Sequence, residues 1–225
     1  TGPWKFVSQT PRAKVEMVPN KEYWNPARVP KVDRVILRPI PEASARVAAL
    51  LSGQVDFVEA PPPDTIPRLK SSGMSIITNA YPHNWAIKPS RIEGSPWNDI
   101  NVRKAANLCI DREGMNQMLG GLSVPSEGHL PPGDTWFGNP TFKLGYMPDD
   151  ARKLMAASGH SADKPLTVKI AISTSGSGQM QPLPMFEFLQ ANLNECFFDV
   201  QAEVMEWNAL TAFHRKPANS EEAVS

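Results

Sequence analysis

Residues 98–115, NDINVRKAANLCIDREGM, decide how this chain reads. Val102, Ala105, Ala106, Cys109 and Ile110 recur at the i, i+3, i+4, i+7, i+8 spacing of a single apolar helix face. Asn98, Asp99 and Asn101 offer N-caps for that helix. Asp111 can cap a second one that carries Met115, Met118 and Leu119 and ends at Gly120-Gly121. The charges fall where they reach water, and nothing in the stretch is catalytic. It reads as scaffold, with Arg103 and Asp111 holding helices together rather than touching a ligand.

Upstream, residues 4–8 and 14–18 alternate apolar and polar side chains around the turn "QTPRA", which predicts two strands and a hairpin. "VDRVILR" at 32–38 predicts a third strand. "EASARVAALLSG" predicts a helix stopped by Gly53. "VDFVE" reads as a short strand, "PPPDTIPRLKSSG" as a helix capped by Asp64, and "MSIIT" as another strand. Downstream, 122–147 reads mostly as loop, and "MPDDARKLMAASG" as a helix with acids in its first turn, as the helix dipole favours. Leu166, Val168, Ile170 and Ile172 share one strand face. A helix over 184–195 and the strand "FFDVQAEV" complete a βαβ unit. No internal repeat is visible.

Composition narrows the function classes. The chain has 225 residues, with 23 Lys and Arg against 23 Asp and Glu. That balance argues against nucleic acid and against anionic lipid, both of which call for a basic excess. The 23 prolines cluster in turns between periodic segments, as in a loop-rich globular protein. No stretch is apolar for long enough to span a membrane, and no signal peptide opens the chain. The start, "TGPWKFV", reads as the middle of a domain, and the polar end, "HRKPANSEEAVS", has no element to close on. The chain therefore reads as a piece of something longer.

Few motifs could carry chemistry. His83, His129, His160 and His214 lack the close spacing of a zinc site, so no metal is expected. Cys109 reads as a small buried residue; a disulfide with Cys196 is possible, though nothing in the pattern indicates it. "STSGSGQ" at 173–179 lacks the Lys of a phosphate loop and the G-x-G-x-x-G of a dinucleotide site, and reads as a flexible turn. Asp149-Asp150 fits a helix start better than a catalytic pair. The aromatic "NAYPHNWAI" at 79–87 is different. Tyr81, His83, Asn84 and Trp85 combine polar-tipped rings with an amide and an imidazole, which suits a ligand surface as well as a packed crossover loop. Trp136, in a proline-rich loop, is a further candidate.

The opening stretch closely resembles the D-x-x-V-R-x-A-x-x-x-A-I-D-R-E signature of family 5 extracellular solute-binding proteins, the receptors of peptide, nickel and oligosaccharide ABC importers. Asp99, Val102, Arg103, Ala105, Ile110, Asp111, Arg112 and Glu113 carry the match, with Cys109 where the family usually has Ala. Further landmarks follow in the family's order: "TGPWKF", "NKEYW", "ARVAALLSGQVDFV" and "GYMPDDARKLMAASG". "NECFFDV" departs from it, since Cys196 and Phe197 stand where an apolar residue and a glycine are usual.

The resemblance implies an incomplete α/β fold of the type II periplasmic-binding-protein kind, with residues 1–80 in one lobe and 81–225 in the other. It implies a monomer without cofactor that is not an enzyme. Such a receptor binds an oligopeptide or similar small solute between its lobes and delivers it to permease subunits. Its address would be periplasmic, or extracellular and membrane-tethered. A family carboxylate for the peptide's amino terminus lies beyond residue 225. One alternative is a truncated or degenerate fragment that binds nothing and serves as a scaffold or interaction surface. A hydrolase using Ser175 is more distant.

Overall fold

The computed structural model describes residues 2–79, 84–175 and 180–217. It divides into two compact units, Thr1–Pro61 and Pro62–Ser225. The lobe boundary expected at residues 80–81 lies outside the described residues.

In the first unit, strands β1 (Trp4–Thr10), β2 (Lys14–Pro19) and β3 (Val35–Leu37) form one antiparallel sheet in that order. The alternation in the sequence puts Phe6 and Val35 across from Met17, and Leu37 across from Val15. A register shift between Phe6 and Ser8 bulges β1. Glu16 is buried and charge-paired with Lys14 at 3.1 Å and Arg34 at 2.9 Å. Helix α1 (Ala43–Leu51) starts where the Glu42 carboxylate accepts from the Ser44 and Ala45 amides, and Gly53 ends it in the left-handed region. The strand expected at "VDFVE" does not form. The Gln54 and Val55 amides turn back to the Ala49 carbonyl, completing the helix terminus.

In the second unit, a 3-10 turn (Pro63–Thr65) leads into α2 (Ile66–Ser71). Asp64 is not the cap of this helix; it lies in the turn before it. "MSIIT" is not a strand. The Met74 amide closes the end of α2 on the Leu69 carbonyl, and no described strand pairs with the segment. Helices α3 (Ile100–Cys109) and α4 (Arg112–Met118) form where expected. Asp99 Oδ1 accepts from the Asn101 amide at 2.8 Å, and Asp111 Oδ1 accepts from the Gly114 amide at 2.8 Å. Arg103 donates to the carbonyls of Trp97 and Asn98, and Arg112 to those of Asn107 and Ile110. Asp99, Arg103, Asp111 and Arg112 of the signature thus bond to backbone at helix ends.

Helix α5 (Pro148–Ala157) packs along α3. Strands β4 (Leu166–Ser173) and β5 (Phe198–Met205) pair in parallel across α6 (Pro182–Glu195). Val102, Cys109, Met155, Ile170, Phe186, Leu189 and Val200 belong to the core shared by these elements, and Trp97 stacks on Phe198 at 6.0 Å. Helix α7 (Trp207–Phe213), not anticipated, is capped by the Glu206 carboxylate, which accepts from the Asn208 and Ala209 amides. Cys109 and Cys196 are joined in a disulfide that their sequence pattern does not announce; their Cα atoms are 6.3 Å apart across 87 residues. Phe197, where the resemblance led to an expectation of glycine, occupies the left-handed region at φ 67°.

Candidate functional site

Of the five residues singled out in the sequence, Tyr81 and His83 lie outside the described residues. The other three are placed in the second unit. Asn84 is half-buried, and its side-chain amide donates to the Gly128 carbonyl at 2.6 Å and to the His129 carbonyl at 2.9 Å. Both amide protons are therefore committed to the chain itself. Trp85 is half-buried and packs against the core of α3, α5, α6, β4 and β5. Trp136 is 84% exposed.

Asn84 and Trp136 are connected through one loop. Asn84 fixes its start at Gly128 and His129. Ser126 Oγ donates to the Gly128 carbonyl at 2.7 Å. Phe137 closes over Gly128, where a Cβ would come 2.9 Å from its ring. Asp134 Oδ1 accepts from the Trp136 amide at 2.7 Å, and the Asp134 carbonyl from the Phe137 amide at 3.0 Å. The loop thus turns Phe137 inward and leaves the indole of Trp136 in solvent. This gives an exposed aromatic surface with one N–H donor, able to stack on or cover a flat or apolar group.

A polar cluster that the sequence did not point to lies where α3 begins. Ser158 Oγ donates to Asp99 Oδ2 at 2.6 Å, joining the C-terminus of α5 to the N-terminus of α3. That hydrogen bond, then the one from the Asn101 amide, holds the Asp99 carboxyl below the usual carboxylate range, with Arg103 and His160 adding to the effect. Burial lowers the pKa of Arg112. These groups support helix ends. Asp99 was legible as a cap, but its bond to Ser158, 59 residues away, was not. Among the described residues, no three His, Cys, Asp or Glu side chains converge as metal ligands would, and no helix is long and apolar enough to cross a membrane.

The α/β fold is that of the periplasmic binding proteins. It is similar to the Helicobacter pylori periplasmic binding protein DppA in complex with the peptide STSA, with a TM-score of 0.74 and 24% identity over 93% of this chain and 40% of that one. Residues 1–223 match the bacterial extracellular solute-binding proteins, family 5 (middle), and the chain belongs to that family. Among curated relatives, a probable di/tripeptide-binding protein 5 of Pseudomonas aeruginosa is 28% identical over 93% of this chain. Heme-binding protein A of Haemophilus influenzae is 25% identical over 71% of it. The chain spans 39% of the first relative and 29% of the second. The family and these relatives are solute-binding proteins rather than enzymes.

Proposed function

We propose that this chain is part of the solute-binding component of an ABC importer, that its solute is an oligopeptide, and that the loop carrying Trp136 faces that solute. The observation that carries the reading is the family match across residues 1–223, joined to relatives named for di- and tripeptides. In the longer receptor the peptide is held between two lobes and handed to permease subunits, with no bond made or broken. Closure of this kind is a two-state equilibrium that ligand biases. Peptide main-chain hydrogen bonds supply affinity that is indifferent to sequence, and water-filled pockets accept varied side chains. The receptor acts as a monomer in the periplasm, or outside the cell tethered to the membrane. The Cys109–Cys196 bridge supports that address, because disulfides persist in oxidising compartments.

Thermal unfolding against a pool of di- to pentapeptides tests the reading, since a ligand that binds only the folded state raises the midpoint by mass action. The expected result is a cooperative transition that rises with some peptides. Trp136→Ala should keep the unliganded midpoint and shrink the rise. Heme is the second solute to try, because a heme-binding protein is among the relatives. A rise with heme and none with peptide would replace the peptide. A midpoint unmoved by either, in this chain and in the longest chain that contains it, would overturn the receptor reading.

A further inference from the structure

We infer that the Cys109–Cys196 disulfide is a lock: it is closed by oxidation while the chain folds, is then sealed behind packing, and holds the β4–α6–β5 module to the helices beside it. The module needs such a tie. Among the described residues it pairs two parallel strands, and parallel strands are stable in sheets covered on both faces. Cys196 caps the C-terminus of its helix α6, and Cys109 is the last residue of α3. Next to the bridge, the Asp111 amide donates to Asn192 Oδ1 at 2.9 Å, so a hydrogen bond and a covalent bond join the same two places. The Cα separation of 6.3 Å lies within the range a disulfide spans.

Burial gives the lock its direction. Both cysteines are 0% exposed and sit inside the hydrophobic cluster. Thiol–disulfide exchange needs a thiolate to reach a sulfur directly. In the folded protein neither an oxidant nor a reductant has that access, so the exchange takes place before the core closes or when it opens. One cysteine thiolate attacks a donor disulfide and releases one donor thiol. The second cysteine thiolate then attacks the mixed disulfide and releases the other donor thiol. Two electrons pass from the cysteine pair to the donor, which is a protein or small-molecule disulfide of an oxidising compartment, and the two protons the cysteines give up are taken up by the two departing donor sulfurs.

The test uses the 225-residue chain refolded with oxidised glutathione. A maleimide reagent should label no cysteine in denaturant until a phosphine reductant is added. The same reductant should leave the bridge intact under native conditions over a period that fully reduces an exposed disulfide, and should cleave it in urea. After reduction in urea and refolding under reductant, the thermal midpoint should fall by on the order of 10 °C, as follows from constraining a loop of this length in a chain of this size. The paired variant Cys109→Ala and Cys196→Ala should show the same fall. Should that variant fail to fold, the reduced wild-type chain supplies the comparison, and its own failure to fold would be the stronger form of the dependence. Rapid reduction of the native protein overturns the seal. A reduced chain melting at the oxidised midpoint overturns the lock. No ligand enters the experiment, so its outcome is independent of the peptide reading.

Discussion

The two units use similar sequence patterns and end with different cores. In the first, the described residues that become buried are Glu16, Val47 and Ala49. The sheet has an apolar face, because Met17 lies between Phe6 and Val35 in register, yet Phe6 remains 66% exposed and Leu37 53%. In the second unit, the apolar faces of α3, α5, α6, β4 and β5 close on one another, and Phe186 and Leu189 are almost wholly buried. Periodicity identifies an apolar face in both places. What that face contributes to stability depends on whether another element covers it, since the hydrophobic gain follows area removed from water.

The sharpest way to break this contrast is a pair of truncations. Phe186→Ala in the second unit should cost about 3–5 kcal/mol, the range for a buried aromatic with its cavity. Phe6→Ala in the first should change stability by no more than about 0.5 kcal/mol, as for an exposed site. Urea unfolding of the two variants measures both. Equal losses would mean that Phe6 is covered in solution and that the two cores are alike.

The next largest effect is expected at Asp99, which ties two helices of the closed core. Asp99→Ala removes the α3 cap and the partner of Ser158, and should cost about 1–2 kcal/mol. The acid limb carries the same information. The folded-state pKa of Asp99 is depressed, so its contribution is complete above the ordinary carboxylate value of about 3.9 and is lost as pH falls through the lower folded value. Stability of the wild-type chain should therefore fall more steeply below about pH 4 than that of the Asp99→Ala variant. Parallel acid limbs would remove Asp99 from the account.

How much the sequence disclosed follows the same division between local pattern and distant partner. Helices α3, α4 and α5, the hairpin of β1 and β2, and the parallel pair of β4 and β5 were legible because caps, glycine stops and apolar spacing are local. The strands expected at "VDFVE" and "MSIIT" failed because a strand needs a partner, and local alternation does not supply one. The disulfide was not legible for a related reason: Cys109 and Cys196 are neighbours only once α6 packs beside α3. In the candidate site, Trp85 and Trp136 looked alike as sequence. Packing against the core distinguishes the first, and exposure on a loop tied down by Asn84 distinguishes the second.

The smallest effects expected concern Arg12 and Phe197, two of the three described non-glycine residues at positive φ, and they separate backbone strain from packing. Arg12 lies in the exposed hairpin turn at φ 60°, after Pro11, where a type II turn favours glycine. Phe197 lies at φ 67° and packs partly against the closed core. Glycine relieves the backbone at either position, by about 1 kcal/mol. Arg12→Gly gives up no buried side chain and should gain most of that, about 0.5–1 kcal/mol. Phe197→Gly loses its partial burial at the same time, so the two changes should nearly cancel. Phe197→Ala keeps the strain and loses the ring, and should be less stable than Phe197→Gly by about 1 kcal/mol. If alanine and glycine at 197 unfold at the same urea concentration, the backbone there is unstrained. Phe197 would then contribute through its packing against the core alone.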